Sequence, residues 1–378
     1  MTLGKELTGL TVISLEQAVA APYCGLLLAD AGARVIKIER SSGDFARGYD
    51  AGAGGQSAIF AWLNRGKQSV CLDLKDPGDL AHLRAALRVV DVLLSNLAPG
   101  AVARMGLGPE ALRQINPGLI TCAISGYGPT GEAAQKKAYD FLVQAEAGIC
   151  AVTGTPDSPA RVGVSLTDLA TGLTAFCGIL RALIQRGITG RGSDLDLSMF
   201  DVMADWMNMP LLQHRYTGGA PDRSGLTHSF VAPYGAFVCG DGGTVLLSVQ
   251  SNREFAALSG QVLGQPELAR DPRFAENPAR HANRDALAAI ITAKFSAHTR
   301  ADVVAMLDAA RIANAQLNSV ADLSEHSFLR TARAKIGADR IDMASLPLRQ
   351  GSNDTENVPD LGAHTADFKA EFQKAESP

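Results

Sequence analysis

The sequence predicts an α/β protein that has a large domain built on a mostly parallel sheet and a second, smaller α+β domain. Two observations support this prediction. Over the first two hundred residues, short apolar stretches typical of strands alternate with helical stretches at the spacing of βαβ units. After a turn-rich segment at 217–223 the pattern changes to a β-hairpin followed by helices. The length of 378 residues is sufficient for two domains.

Each predicted strand of the large domain is a short stretch rich in apolar residues, and apolar residues recur at helical spacing in the predicted helices. Sheets of this Rossmann-like kind bind ligands beyond the carboxyl ends of their strands. The predicted strands are Leu10–Leu15, Arg34–Arg40, Ser69–Leu74, Asp91–Asn96, Leu119–Ile124, Val162–Leu166 and Asp194–Met199. The predicted helices are Pro22–Ala31, Pro77–Val90, Pro109–Ile115, the stretch that follows Asp168, and Val202–Tyr216.

The smaller domain is predicted from a hairpin at Tyr234–Cys239 and Thr244–Gln250, whose turn is rich in glycine. Three helices are predicted after it, and the last sixty residues are polar and predicted to be irregular. These patterns indicate four segments: the large domain at 1–200, a helix and linker at 201–224, the small domain at 225–325, and a C-terminal segment at 326–378 that returns to the large domain.

Composition argues against several classes of protein. The formal charge of −4 gives no reason to expect nucleic acid as a partner. The six cysteines contain no C-x-x-C pair, so we predict no metal site and buried thiols in a reducing cytoplasm. The first strand-to-helix turn, at 16–22, lacks G-x-G-x-x-G, so NAD is not predicted as a cofactor. Polar residues and Pro22 interrupt the apolar N-terminal residues, which argues against a signal peptide or a membrane span.

Asp168 is the one acidic residue in the largely apolar stretch 161–186. We expect it where the strand Val162–Leu166 is followed by a helix, next to free backbone N–H groups and the positive end of the helix dipole. Large apolar residues on one face of this helix and small residues on the other predict that it is buried on most sides. From these residues alone, helix capping is the favoured role for Asp168, and a reactive carboxylate is the alternative.

A set of motifs that occur in order along the chain resembles one known family. The motifs are Leu15–Pro22, Val35–Arg40, Gly43–Arg47, Asn64–Lys67, Leu72–Lys75, Asn96–Gly100, Arg104–Gly106, Ser125–Gly128, Lys137–Asp140, the Asp168 stretch, Gly190–Gly192 and Pro359–Thr365. No single motif is specific, but the ordered set is similar to the class III CoA-transferases, the family of formyl-CoA transferase and carnitine CoA-transferase. The resemblance also implies a homodimer of two interlocked rings, for which composition gives no signal.

The resemblance implies that Asp168 is the nucleophile, with Asp140 as an acidic neighbour in the active site. Coenzyme A is then the substrate, bound as a thioester, and N–H groups at the start of the Asp168 helix are expected to stabilise the oxyanions of the reaction. The CoA-binding positions that the resemblance implies are Ala18, Val19, Ala20, Arg40, Leu72, Lys75, Asn96, Leu97, Arg104 and Lys137.

The substrate branch is suggested by two segments. Residues 225–235 lack the run of glycines that the best-studied members carry, which argues against oxalate and formyl-CoA. With Gly43–Tyr49, this segment resembles the branch acting on C4–C5 dicarboxylates: mesaconate, itaconate, citramalate, malate or succinate. The expected donor is succinyl-CoA or a similar acyl-CoA. Arg47 and His228 are candidate ligands of the second carboxylate. For Arg47, an ion pair with Asp44 or Asp50 is equally favoured. For His228, the role of an ordinary surface or core histidine is equally favoured.

Three alternatives stay open from the sequence. An α-methylacyl-CoA racemase shares the implied fold, but in racemases a histidine precedes the acidic residue at the position of Asp140. Here that residue is Tyr139, whose phenol is a poor base near neutral pH. Intramolecular transfer of CoA between C1 and C4 of mesaconyl-CoA is the second alternative. A non-catalytic CoA-binding protein is the third, and the presence of both Asp168 and Asp140 argues against it.

Overall fold

The computed structural model describes residues 5–348 and 356–373. Contacts between residues divide the chain into two compact units. The first contains the described residues up to Ile149, then Arg161–Leu211, then those from Arg330 onward. The second contains Cys150–Ala160 and Leu212–Leu329, so the chain enters it twice. The segment boundaries predicted at residues 200, 224 and 325 stay predictions.

Strands and helices alternate through most of the chain. The strands are β1 (Thr11–Leu15), β2 (Arg34–Glu39), β3 (Gln68–Cys71), β4 (Val92–Ser95), β5 (Ile120–Ser125), β6 (Gly154–Thr155), β7 (Ser158–Pro159), β8 (Asp194–Ser198), β9 (Tyr234–Val238), β10 (Thr244–Ser248), β11 (Ala313–Gln316), β12 (Thr331–Ile336), β13 (Asp339–Ala344) and β14 (Glu356–Asn357). The helices are α1 (Ala20–Asp30), α2 (Ala58–Asn64), α3 (Pro77–Leu87), α4 (Ala101–Arg104), α5 (Pro109–Ile115), α6 (Asp140–Glu146), α7 (Ile149–Val152), α8 (Leu166–Thr189), α9 (Met199–Trp206), α10 (Asn208–Tyr216), α11 (Asn252–Ala257), α12 (Asn277–Ala282), α13 (Arg284–Phe295), α14 (Arg300–Ala309), α15 (Val320–Ser324) and α16 (Thr365–Glu371).

The first unit is built on a six-stranded sheet in the order β3-β2-β1-β4-β5-β8. Every neighbouring pair in this sheet is parallel, which confirms the predicted parallel sheet. From β1 the chain adds β2 and β3 on one side of the sheet, and from β4 it adds β5 and β8 on the other side. Doubly wound sheets open a ligand crevice at such a switch point, beyond the carboxyl ends of the two strands. In this chain those ends are Leu15 and Ser95.

Helix α8 packs against α1 through its small residues. A Cβ on Gly172 would lie 2.5 Å from the Ala20 carbonyl oxygen, so a larger residue would push the two helices apart. On the opposite face, Leu173 and Ile184 are 45% and 67% exposed, and Cys177 is exposed. The predictions of a helix buried on most sides and of buried thiols throughout are therefore wrong. Among the described helices, α8 is the one whose length and composition would suffice to span a membrane.

The predicted strand Val162–Leu166 is wrong. These residues form no strand, and Leu166 is already the first residue of α8. The position beside β5 at the lateral edge of the sheet is occupied by β8. The Val162 N–H instead donates to the side chain of Gln144 at 3.0 Å, so a side chain rather than a neighbouring strand satisfies this backbone group.

Two other predictions need correction. The single predicted helix Val202–Tyr216 is two helices, α9 and α10, which separate at Met207. Pro210 follows the break and has no N–H to continue a helical hydrogen-bond ladder. The described residues of the C-terminal segment are not all irregular, since β12, β13 and β14 form a sheet in which alternate residues of β12 are buried.

Residues that follow β14 cover the free edge of β3. The N–H groups of Gly362 and His364 donate to the hydroxyl and the carbonyl of Ser69, at 3.0 and 2.9 Å. The Cys71 N–H donates to the Thr365 hydroxyl at 2.9 Å. An uncovered edge strand invites pairing with other chains, so this segment protects the sheet.

The second unit contains an antiparallel sheet in the order β11-β10-β9, which confirms the predicted hairpin of β9 and β10. Its apolar core brings Val245 and Leu247 of the hairpin together with Phe255, Ile291 and other helical residues.

Candidate active site

Asp168 lies in the first turn of α8 and is half-buried. In the described part of the chain, no hydrogen bond is donated to its carboxylate. Burial, and then the charge of Asp140, raise the pKa of Asp168 from 3.8 to about 7. A carboxyl group with such a pKa changes between its neutral and ionised forms near neutral pH. Shifted pKa values of this kind are common at active sites.

Asp140, not Asp168, caps α8. One carboxylate oxygen of Asp140 accepts from the N–H of Thr167 at 2.7 Å and from that of Asp168 at 3.3 Å. The other accepts from the Gln144 amide at 2.8 Å. The capping role favoured for Asp168 is therefore filled by another residue. The expectation that N–H groups at the start of α8 stabilise an oxyanion is also wrong for Thr167 and Asp168, because their N–H groups already donate to the Asp140 carboxylate.

The turn before α1 lies at the switch point of the sheet. Asn96, just after β4, accepts from the Gln17 N–H at 2.9 Å and donates to the Gln17 carbonyl at 2.8 Å, so it bridges the ends of β1 and β4. Ala18 has a φ of +64°, a conformation unusual for a residue other than glycine. Its N–H donates to Asp44 at 3.2 Å. The turn leads into Ala20, whose carbonyl contacts α8 near Gly172, one turn beyond Asp168.

A network of buried charges lies beneath this turn. The Lys37 ammonium is 2.7 Å from Asp44 and 3.5 Å from Glu16, and all three side chains are buried. The Lys67 ammonium is 2.5 Å from Glu16 and 2.9 Å from the Pro22 carbonyl in α1. Burial opposes ionisation of Glu16, but Lys67 and Lys37 outweigh it and lower its pKa. Burial lowers the pKa of Lys67 to about 8, although Glu16 opposes this shift. The network thus supports the Ala18 turn through Asp44 and α1 through Lys67.

Arg47 is not a free cation. Its guanidinium donates to both carboxylate oxygens of Glu39, at 2.9 and 2.7 Å, and to the Pro359 carbonyl, and it lies 4.0 Å from the ring centre of Phe60. Burial opposes ionisation of Glu39, but Arg47 and its other partners lower its pKa to about 2. The expected pair with Asp44 or Asp50 is therefore corrected to a bidentate pair with Glu39.

Tyr49 is a neighbour of Asp168 that sequence reasoning did not assign. Burial raises the pKa of its phenol, and the charges of Asp44, Asp168 and Tyr139 raise it further, which places all three nearby. Its ring packs edge-on against Phe45 with ring centres 5.7 Å apart. The only sequence signal was its position in Gly43–Tyr49, quoted for its resemblance to the dicarboxylate branch. Tyr139 itself is 64% exposed and immediately precedes α6.

A cavity lies beside Gln17, and a second cavity adjoins it. The first, of about 270 Å³, is lined by Gln17 and by four of the predicted CoA-binding residues: Arg40, Leu72, Lys75 and Leu97. The second, of about 690 Å³, shares Leu74, Lys75 and Leu97 with the first and also includes Arg104. The structure therefore groups five of the ten predicted CoA positions along these two cavities. Lys137 is exposed and lines neither of these two cavities.

His228 lies in the second unit, in a loop held by several contacts. Its ring stacks on Tyr234 with ring centres 5.0 Å apart and meets Phe230 edge-on at 4.4 Å. The Phe230 N–H donates to His228 Nδ1 at 3.3 Å, so in the neutral ring Nε2 carries the proton. Asn277 donates to the Phe230 carbonyl at 2.9 Å and accepts from the Ala232 N–H at 3.2 Å.

A half-buried carboxyl of raised pKa is typical of an enzyme active site. The family model of CoA-transferase family III matches residues 7–365, and the chain belongs to that family. The acetyl-CoA:oxalate CoA-transferase of Acetobacter aceti is 39% identical over 98% of this chain and 96% of its own length. The succinyl-CoA–D-citramalate CoA-transferase of Chloroflexus aurantiacus is 31% identical over 91% and 86%. A CAIB/BAIF family protein from Brucella suis has a similar crystal structure, with a TM-score of 0.83, 33% identity and coverage of 98% and 100%.

Proposed function

We propose that this CoA-transferase moves CoA from an acyl-CoA to a dicarboxylic acid through a covalent thioester on Asp168. The observation that carries the proposal is the Asp168 carboxyl, which has a pKa of about 7 and receives no hydrogen bond in the described part of the chain. A nucleophilic carboxylate must be ionised yet poorly solvated, and this environment meets both needs near neutral pH.

The proposed reaction begins when an Asp168 carboxylate oxygen attacks the acyl carbon of the donor. The carbon–sulfur bond breaks, which leaves a mixed anhydride on Asp168 and a CoA thiolate. The thiolate attacks the aspartyl carbonyl, releases the donor carboxylate and forms an aspartyl-CoA thioester. The acceptor carboxylate then displaces the thiolate to give a second anhydride. The thiolate finally attacks the acceptor carbonyl, so acyl-CoA leaves and the Asp168 carboxylate is regenerated.

We assign CoA binding to Ala18, Val19, Ala20, Arg40, Leu72, Lys75, Asn96, Leu97, Arg104 and Lys137. Support comes from the crevice that several of these residues line. Helix α1 has no side chain bonded at its N-terminus, so its first N–H groups are suited to an oxyanion of the reaction. Asp140 and Tyr139 are assigned as active-site neighbours. A homodimer and a cytoplasmic location complete the proposal.

The acceptor is proposed to be a short dicarboxylate. Relatives are named for oxalate and for D-citramalate, so the sequence-based argument against oxalate is not supported, and oxalate belongs in any panel of acceptors. His228 is proposed as a ligand of the second carboxylate, because its Nε2–H is a donor of defined position. Arg47 is not included, because Glu39 occupies its guanidinium.

The proposal is tested by incubating the protein with succinyl-CoA and a panel of acids and identifying the acyl-CoA products by mass. Intact-protein mass spectrometry after donor addition should show a CoA adduct on the wild type and none on Asp168→Asn. Transfer without an adduct would contradict the covalent route.

Dicarboxylates should be better acceptors than monocarboxylates of equal length. A hydrogen bond to a charged group contributes about 1.5–3 kcal/mol, so a ratio of kcat/KM values of about 10–150 is expected. His228→Ala should reduce this ratio by slowing dicarboxylates more than monocarboxylates. Tyr234→Phe keeps the stacked ring and serves as the control. Equal rates with succinate and butyrate in the wild type would contradict the assigned acceptor class.

The rate of donor consumption should rise with pH. The reactive form of Asp168 is the carboxylate, whose population increases as pH passes the pKa of about 7. Thus kcat/KM for the acyl-CoA should fall about tenfold per pH unit below that value. Asp140→Asn removes one neighbouring charge and should move the midpoint to lower pH. A profile that is flat from about pH 5 to 8 would contradict the assignment.

A further inference from the structure

The second cavity contains a cation that the proposed CoA site does not yet include. Arg84, on the exposed side of α3, lines it together with Lys75 and Arg104. These three side chains project from three separate segments toward one open space of about 690 Å³. The cavity continues into the smaller one beside Gln17 through the shared residues Leu74, Lys75 and Leu97.

The guanidinium groups of this cavity are held in place but not neutralised. Arg84 donates to the Met105 carbonyl at 2.9 Å, and Arg104 to the Pro99 carbonyl at 3.4 Å. Within residues 5–348 and 356–373, none of Lys75, Arg84 and Arg104 forms an ion pair. Each arginine thus keeps further N–H donors for a ligand, since a guanidinium has five.

Glycines leave room for both guanidinium groups. A Cβ on Gly106, which has a φ of +70°, would lie 2.7 Å from Nη2 of Arg84. A Cβ on Gly100, with a φ of +76°, would lie 3.0 Å from Nη1 of Arg104. Three unpaired cations beside one cavity suit a ligand with several negative charges, and arginine suits phosphate oxygens in particular.

We propose that Arg84 is a further CoA-binding residue, which completes with Lys75 and Arg104 a phosphate subsite for the nucleotide end of CoA. This inference rests on the proposed function. Among parts of an acyl-CoA, only the nucleotide end carries phosphates: a diphosphate, and a 3′-phosphate monoester with a charge of about −2 near neutral pH. The thioester end then lies toward Gln17 and the Ala18 turn, where the sheet switches direction.

The test compares CoA binding to the wild type, Arg84→Ala and Arg88→Ala by isothermal titration calorimetry. Arg88 is exposed, directly follows the last residue of α3 four positions after Arg84, and lines neither of the two cavities, so it is the matched control. Arg84→Ala should weaken binding about tenfold, and Arg88→Ala by less than about twofold. The affinity of Arg84→Ala should also depend less on salt concentration. Arg84→Lys keeps the charge but loses the planar guanidinium, so its affinity for CoA should lie between those of the wild type and Arg84→Ala.

Two ligands distinguish the source of the phosphate. If the effect of Arg84→Ala disappears with 3′-dephospho-CoA, Arg84 contacts the 3′-phosphate, and if it persists, Arg84 contacts the diphosphate. Either result supports the subsite. Equal affinities of Arg84→Ala and Arg88→Ala would overturn it, while product formation by the wild type would leave the proposed function standing. Failure of the wild type both to bind CoA and to transfer it would overturn both.

Discussion

Replacing Asp168 with asparagine should abolish CoA transfer and at the same time stabilise the protein above pH 7. Loss of the nucleophile removes the covalent route, for which a decrease in kcat of at least about 10³-fold is expected. The measurement is the rate of acyl-CoA exchange, with binding of CoA as a check that the site is intact. An asparagine variant that keeps more than a few per cent of the wild-type rate would exclude Asp168 as the nucleophile.

The stability effect follows from the direction of the pKa shift. The pKa of Asp168 is raised by folding, so its favourable contribution is present at low pH and is lost as pH rises from about 4 through about 7. Above pH 7 the ionised carboxylate makes the wild type less stable than Asp168→Asn. The difference in free energy of unfolding should be on the order of 1–2 kcal/mol, allowing for partial solvent exposure.

Asp140 provides the matched comparison. Asp140→Ala removes the cap of α8 and should lower the free energy of unfolding by about 0.5–2 kcal/mol. The two aspartates therefore have opposite expected effects on stability, one as a reactive group and the other as a structural one. Destabilisation by Asp168→Asn, measured by chemical denaturation at pH 8, would return Asp168 to a structural role.

Replacing Lys67 with methionine should destabilise the protein strongly. The Lys67 ammonium is fully buried and lies 2.5 Å from Glu16, so its removal leaves a buried carboxylate with only part of its compensation. Breaking one side of a buried ion pair costs about 3–5 kcal/mol. Because the same network supports the Ala18 turn, KM for the acyl-CoA should also rise in any folded fraction.

Two controls separate burial from charge. The double variant Glu16→Gln with Lys67→Met removes both charges and should be more stable than Lys67→Met alone. Arg333→Ala breaks an exposed pair with Asp342 and should change the free energy of unfolding by less than about 1 kcal/mol. A Lys67→Met variant no less stable than Arg333→Ala would show that the network does not hold the first unit together.

Local sequence patterns predicted elements where side-chain periodicity matches the final environment. The buried strands β1, β2 and β4 are rich in aliphatic residues, as expected for strands covered on both faces of a parallel sheet, although β2 also buries Lys37 and Glu39. The same reasoning failed for Val162–Leu166, which pairs with no strand in the described part of the chain. It also misjudged α8, since side-chain size does not reveal which face meets α1.

The candidate site shows a similar division. Ordered motifs identified the family and pointed to Asp168, and the structure brings several predicted CoA positions to one crevice. Local pattern could not find the role of Asp140 as the cap of α8, because its N–H partners are 27 and 28 residues away in sequence. Local pattern also could not predict that Arg47 pairs with Glu39, or that the Arg47 guanidinium donates to the carbonyl of Pro359, which is remote in sequence.

The sequence by itself determined the alternation of strands and helices and the family, and it supplied Asp168 as the candidate reactive carboxyl group. These depend on residue type and order, which are local properties of the chain. Only the tertiary structure decided which charges are paired, which face of α8 is buried and which cations stay unpaired at the crevice. Those outcomes depend on distances between residues remote in sequence and on their removal from water, since burial and neighbouring charge together set how strongly each group is ionised.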